Sequence, residues 1–265
     1  MCGATHGLAG LFMKEKLYTI PLNDAINAHD ECPFCFIERN IEQDLLDFVL
    51  GSGSSYMEAD IREMTDRDGF CRTHFQKMFD YGNTLGNAWI LKTHYRKMIG
   101  EMQKTFAGFT PGKSSLKDRF RRNMESSNPI GIWVHEKEQS CYICKQYEET
   151  YARYLDTFFY LWKQDSAFPE KIKNSKGFCL PHFGQLCEAA DRHLSDKERA
   201  AFYAMLLPLM EENMNRIAED VAWMVEKFDY RNKDADWKNS RDAIQRGMQK
   251  LKGGYPADSA YKMSK

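Results

Sequence analysis

Apolar positions along this chain recur with a helical period almost from end to end. Ile37, Ile41, Leu45 and Phe48 fall on one helical face, and Gly51-Ser52-Gly53-Ser54-Ser55 then breaks the segment. Ser55 followed by Glu58 is a capping-box pattern, and Met57, Ile61 and Met64 give the returning helix a short apolar stripe. The two segments together predict an αα-hairpin. Further on the plan recurs with a heavier stripe, Tyr147, Tyr151, Tyr154, Phe158 and Trp162, and a less regular return through Phe168-Pro169. An aromatic stripe at this spacing is read as core packing, against the alternative of a ligand pocket.

Each hairpin is followed by a long helical pattern. Leu91, Tyr95, Met98, Met102 and Phe106 make the first apolar face, with His94 beside it as a packed or solvated residue. In the second, Ser195 with Glu198 forms a capping box, Pro208 is expected to kink or restart the helix, and Met210, Met214, Ile217, Val221, Met224 and Phe228 continue it. From Lys227 onward ten Lys/Arg stand against five Asp, with Trp237, Ile244, Met248 and Leu251 as a helical face. This segment reads as a docking helix with a solvated basic side, the alternative being a partner or phosphate-bearing surface. The expected fold is therefore all-α, built from internally duplicated helical hairpin repeats. Its expected parts are an N-terminal extension (1–13), a first repeat (14–107), a Gly/Pro/Ser-rich linker (108–127), a second repeat (128–230) and a basic C-terminal segment (231–265).

The candidate chemistry lies at the hairpin bases. Cys32-Pro33-Phe34-Cys35 is followed by Gly69-Phe70-Cys71-Arg72-Thr73-His74, and Cys141-Tyr142-Ile143-Cys144 by Gly177-Phe178-Cys179-Leu180-Pro181-His182. The paired cysteines of the Cys-x-x-Cys elements are 109 residues apart and those of the Cys-x-x-His elements 108 apart, which points to a duplication with one net deletion. Three thiolates and an imidazole suit a tetrahedral zinc ion. The Cys and His of each Gly-Phe-Cys-x-x-His segment share a helical face, Pro181 suits a first helical turn, and a helix N-terminus favours a thiolate. Two zinc ions per chain are expected, held by Cys32, Cys35, Cys71 and His74 and by Cys141, Cys144, Cys179 and His182. Near-equal spacing favours coordination within each repeat, so that each ion clamps the open base of its own hairpin, the alternative being ligands paired across the duplication. Basic neighbours such as Arg39, Arg72 and Lys145 are candidates to screen the thiolate charge. Cys2 and Cys187 lie outside the pattern and read as free thiols.

Rival readings are weaker on the residues. Cys-Pro-Phe-Cys alone resembles a redox pair, but no β-rich run flanks it. An iron–sulfur centre is the residual alternative within the metal reading, and nothing marks the chain as secreted and disulfide-stapled. Ala107 to Ser114 fits a relaxed P-loop but follows a helix, and Gly51-x-Gly53 lacks the third glycine. Neither Glu-x-x-His nor His-Glu-x-x-His occurs. With 37 basic and 38 acidic residues the net charge is −1, so nucleic acid is not an expected partner. No apolar run is long enough to span a membrane, and Leu8 to Met13 lacks signal-peptide flanks, so a cytoplasmic chain without membrane insertion is expected.

Lys16 to Asp24, the Cys-Pro-Phe-Cys-x-x-Glu element and the twin Gly-Phe-Cys-x-x-His-Phe segments resemble a family of uncharacterised bacterial helical proteins, known mainly from anaerobic Gram-positive lineages, over roughly residues 14–230. The resemblance implies metal sites at the same eight residues and carries no activity. It also implies a start near Met13, with the first twelve residues an extension. The leading expectation is a non-enzymatic binding or adaptor protein with structural zinc, its partner a protein or small molecule. The competing expectations are a thiol- or metal-responsive regulator and an enzyme using a cleft between the repeats with a wall from Tyr147 to Trp162.

Overall fold

Gly51 stops the first hairpin helix, which runs from Pro33 to Leu50 and is labelled α2, following α1 at His6–Asn27. The structure is a computed structural model that describes residues 6–110 and 128–264, with the side chains of α1 described from Leu17 onward. Among these residues every regular element is helical: α3 (Ala59–Asp68), α4 (Arg72–Tyr81), α5 (Thr84–Ala107), α6 (Pro129–Gln139), α7 (Tyr142–Gln164), α8 (Phe168–Lys173), α9 (Leu180–His193), α10 (Asp196–Glu226) and α11 (Ala243–Lys252). The all-α expectation is met. Cys2, most of the 108–127 segment and the end of the P-loop-like run lie outside the described residues.

The described residues gather into two compact units that do not follow the order of the sequence. One combines the chain up to Ile41 with Glu148–Ser259, and the other combines Glu42–Tyr147 with Ala260–Lys265. Helices α2 and α7 each pass from one unit to the other. Accordingly α2 changes its buried face along its length: Phe34, Ile37 and Ile41 are buried in its first part, then Leu46, Val49 and Leu50, while the expected Phe48 is 46% exposed.

In the first unit an aromatic core is built on α7. Phe158 lies 5.2 Å from Phe168, 5.8 Å from Phe34 and 6.3 Å from Phe202 between ring centroids. Tyr151, Tyr154 and Phe158 are buried, so these residues of the stripe are core rather than a pocket wall. Helix α10 starts on the expected Ser195–Glu198 capping box and continues through Pro208 without restarting. Ala204, whose carbonyl loses its i+4 partner there, is exposed, so water can satisfy that oxygen.

The second unit buries Leu46, Val49, Tyr56, Phe70, Met78, Ile90 and Ile143 together. Three local expectations fail. The Ser55 capping box does not form: Ser54 adopts a left-handed conformation, Ser55–Met57 is a 3₁₀ turn, and α3 begins only after Glu58. In α5 the buried positions are Gly86 and Ile90, whereas Leu91, Tyr95 and Phe106 are exposed. In the first unit α11 docks by the face opposite to the one its apolar residues predict. Arg246, Gln249 and Lys250 are buried while Ile244, Met248 and Leu251 are about half exposed. The cause is polar: buried Glu31 and nearby carbonyls require donors, and Lys250 Nζ donates to the carbonyls of Glu31 (2.6 Å) and Lys176 (2.5 Å).

Candidate metal centres

All eight predicted ligands converge, but in crossed pairs. Cys32 and Cys35 meet Cys179 and His182 in the first unit, and Cys71 and His74 meet Cys141 and Cys144 in the second, each set within 4.8 Å of one another. The expectation of coordination within each sequence repeat is thereby overturned. Helix length explains why. The 18 residues of α2 rise about 27 Å and the ten of α3 about 15 Å, so the return covers only part of the outward run. The second motif of the hairpin therefore reaches the middle of α2 rather than its start: His74 Nε2 lies 3.3 Å from Oε1 of Glu42. In the second hairpin the return helix α8 is only six residues, and the His182 ring lies 5.6 Å from, and tilted against, that of Tyr151, the residue 109 places after Glu42.

One local device serves all four motifs. Cys71 and Cys179 are the residues that cap α4 and α9, with His74 and His182 three positions later in the first turn. Cys32 and Cys141 likewise stand immediately before α2 and α7, with Cys35 and Cys144 three positions on. The Cys-x-x-Cys element is thus itself a helix start. Each cluster lies between two helix N-termini, whose exposed N–H groups and dipoles favour thiolates. Cys144 N–H points at Cys141 Sγ at 3.5 Å. The glycines of the two Gly-Phe-Cys segments make the entry turn possible: Gly69 and Gly177 have φ of 61° and 69°, a region costly for any side chain.

The spacing fits one tetrahedral ion per cluster. With metal–sulfur bonds of about 2.3 Å, sulfurs on neighbouring tetrahedral vertices stand about 3.8 Å apart and sulfur–nitrogen pairs about 3.5 Å. Cys35 and Cys179 sulfurs are 3.7 Å apart, Cys71 and Cys144 sulfurs 3.9 Å, and the six sulfur–Nδ1 separations lie between 3.1 and 3.6 Å. A multi-iron cluster would hold its ligands farther apart, and a disulfide would bring two sulfurs to about 2 Å. The described cysteines are free thiols, Cys187 included, and Cys187 belongs to neither cluster.

The two clusters differ in their surroundings. In the first unit all four residues are buried, and Phe34 and Tyr151 pack 5.7 and 5.6 Å from the His182 ring. Burial pushes Cys32 up to about 12 and His182 down to about 4. A bound cation would offset what burial disfavours here, the charged thiolate. Glu38 Oε2 stands 3.8 Å from His182 Nε2, beyond a direct hydrogen bond, and Gly253 leaves room beside Cys179 and Cys35, its Cβ position lying 3.6 and 3.8 Å from their sulfurs. The buried Lys250 ammonium acts on Cys32 electrostatically, whereas Arg39 donates to the Ser259 carbonyl.

In the second unit Cys71 and Cys144 are partly exposed. Glu42 accepts from Lys77 (2.6 Å), Tyr261 and His74, and against the opposing effect of burial these bonds hold its carboxyl down at about 2. Burial opposes charge on His74, but its bonds to Cys141 and Glu42 raise it to about 10. Cys141, also opposed by burial, is lowered to about 6 by His74. Glu42 orients Nε2 and leaves Nδ1 facing the sulfurs, the arrangement by which carboxylates fix metal-binding imidazoles. Lys145 pairs with Asp68 at 3.8 Å. Glu42 was open to detection, since it lies seven residues after Cys35 on the same helical face; Lys250 and Tyr261 carried no local signal. His94 is no ligand of either cluster, its Nδ1 lying 3.1 Å from the Asp66 carbonyl.

No helix among the described residues is long and apolar enough to cross a membrane. No curated protein and no solved structure matches the chain. Residues 13–258 match a family of unknown function, and the chain with its two Cys₃His clusters belongs to that family, DUF6062.

Proposed function

We propose that this is a cytoplasmic, non-enzymatic binding or adaptor protein that arose by duplication and whose two zinc ions are structural. The observation that carries this reading is the donor count. Each cluster offers four protein ligands at tetrahedral spacing, so an ion held by all four has no open position for water or substrate. The ions would contribute folding free energy, on the order of 10 kcal/mol each for structural zinc, by fastening helix starts that the chain does not otherwise link. The partner is a protein or a small molecule, recognised by surfaces away from the ions.

The test is elemental analysis of anaerobically purified protein together with chelation followed by circular dichroism. Two zinc ions per chain and loss of helical signal in step with zinc removal support the reading. A chain that is fully helical and metal-free overturns it. A second reading, a thiol- or metal-responsive regulator, is favoured by the partial exposure of Cys71 and Cys144, which would let oxidants reach one cluster before the other.

A further inference from the structure

A cavity of about 740 Å³ opens in the first unit along α8, α10 and the start of α11. Six cations line it: Lys173, Lys176, Arg216, Lys238, Arg241 and Arg246. Two carboxylates, Glu212 and Asp242, oppose them, and Leu209 is the one apolar side chain in the lining. This local excess of four positive charges stands in a chain whose net charge is −1.

Part of the charge is already engaged. Arg246 binds Asp220 (2.9 Å) and Asp242 (2.8 Å), and Arg216 reaches Glu31 at 2.5 Å. The other four are less committed. Lys176 is 3.9 Å from Glu31, Lys173 is exposed, and Lys238 and Arg241 lie over the rings of Trp223 (4.1 Å) and Trp237 (5.6 Å). A cation held over an aromatic face keeps its charge and its outward N–H donors. Lys238 has φ of 50°, an uncommon conformation for a non-glycine residue.

We propose that this cavity binds a small phosphate-bearing anion, a polyphosphate or phosphate ester with two or more negative charges. Its volume falls within the range of about 300–1,000 Å³ typical of small-molecule sites. Lysine ammoniums and an arginine fork converging on a polar space match phosphate oxygens, whereas the single apolar wall offers little to a greasy ligand. A concave site in a nearly neutral chain also lacks the extended basic surface that a nucleic acid or a membrane needs. The proposal is independent of the zinc reading, since no residue of either cluster lines the cavity.

The test titrates inorganic tripolyphosphate into the full-length protein as purified, in about 150 mM salt so that diffuse surface attraction is screened. Calorimetry and tryptophan fluorescence give the readout, because Trp223 and Trp237 lie beneath two of the cations. Saturable binding is expected, weakened about tenfold or more in Lys238→Asn/Arg241→Ala and unchanged in Arg96→Ala/Lys104→Ala on α5. Asparagine is chosen because it tolerates positive φ. Should the double variant fail to fold, Lys173→Ala, at the exposed C-terminal end of α8, carries the same test. Absence of saturable binding, equal weakening in the α5 control, or binding only to phosphatidylglycerol vesicles or an oligonucleotide would overturn the proposal.

Discussion

Cys35 and Cys179 are 144 residues apart in sequence, yet their sulfurs lie 3.7 Å apart. The residues that alignment of the two halves would pair with each of them, Cys144 and Cys71, meet in the other cluster at 3.9 Å. Each cluster therefore joins the beginning of one hairpin to the second motif of the other. An ion in either site would close a long loop of chain, where restricting the unfolded ensemble has the most to contribute.

Glu42 is expected to act on one site only. Removing its carboxylate in Glu42→Ala frees the His74 ring and should weaken the ion of the second unit about 10- to 100-fold, with the other ion unaffected. Chelator competition monitored ion by ion measures this, and equal weakening of both ions would count against the assigned role.

Gly69→Ala and Gly177→Ala force a side chain into positive φ, and at Gly69 the new Cβ would also stand 3.0 Å from the His94 ring. Each should cost about 1–2 kcal/mol and lower the thermal midpoint by a few degrees. Gly53→Ala, where a Cβ meets nothing within 4 Å, should be close to neutral.

Lys250 is 1% exposed and its ammonium serves two carbonyls as well as the Glu31 carboxylate at 3.3 Å. Lys250→Met should cost about 3–5 kcal/mol in denaturant unfolding, since it leaves those acceptors buried and short of a donor. Lys252→Met, on an exposed position of the same helix, should cost under about 0.5 kcal/mol.

Sub-millimolar peroxide separates the structural from the responsive reading. With filled coordination shells little zinc should be released while the protein stays folded, and what is released should come first from the cluster whose Cys71 and Cys144 are partly exposed. Rapid zinc release from that cluster, reversed by thiol, with helical signal retained would instead favour the regulator.

The helices and all eight candidate ligands were legible in the sequence because both are local. A period of 3.6 places Ile37 and Ile41 on one face, and a Cys or His three residues after a helix-starting Cys is readable within a single turn. The pairing was not legible, because it depends on α3 being eight residues shorter than α2, and helix boundaries are the least readable part of a sequence. The inward face of α11 escaped for a different reason. Its burial follows from the demand of Glu31 for cationic partners more than 180 residues away in sequence, which no window around Ile244, Met248 and Leu251 contains.

Counting ions in two double variants tests the crossed clusters most directly. Cys35→Ser/Cys179→Ser damages one cluster and Cys35→Ser/Cys71→Ser damages both. Elemental analysis of the anaerobically purified proteins should find one tightly held zinc per chain in the first variant and none in the second, with helical signal lost more fully in the second. The reverse outcome, none in the first and one in the second, would show that each ion is held within its own sequence repeat and would contradict the account.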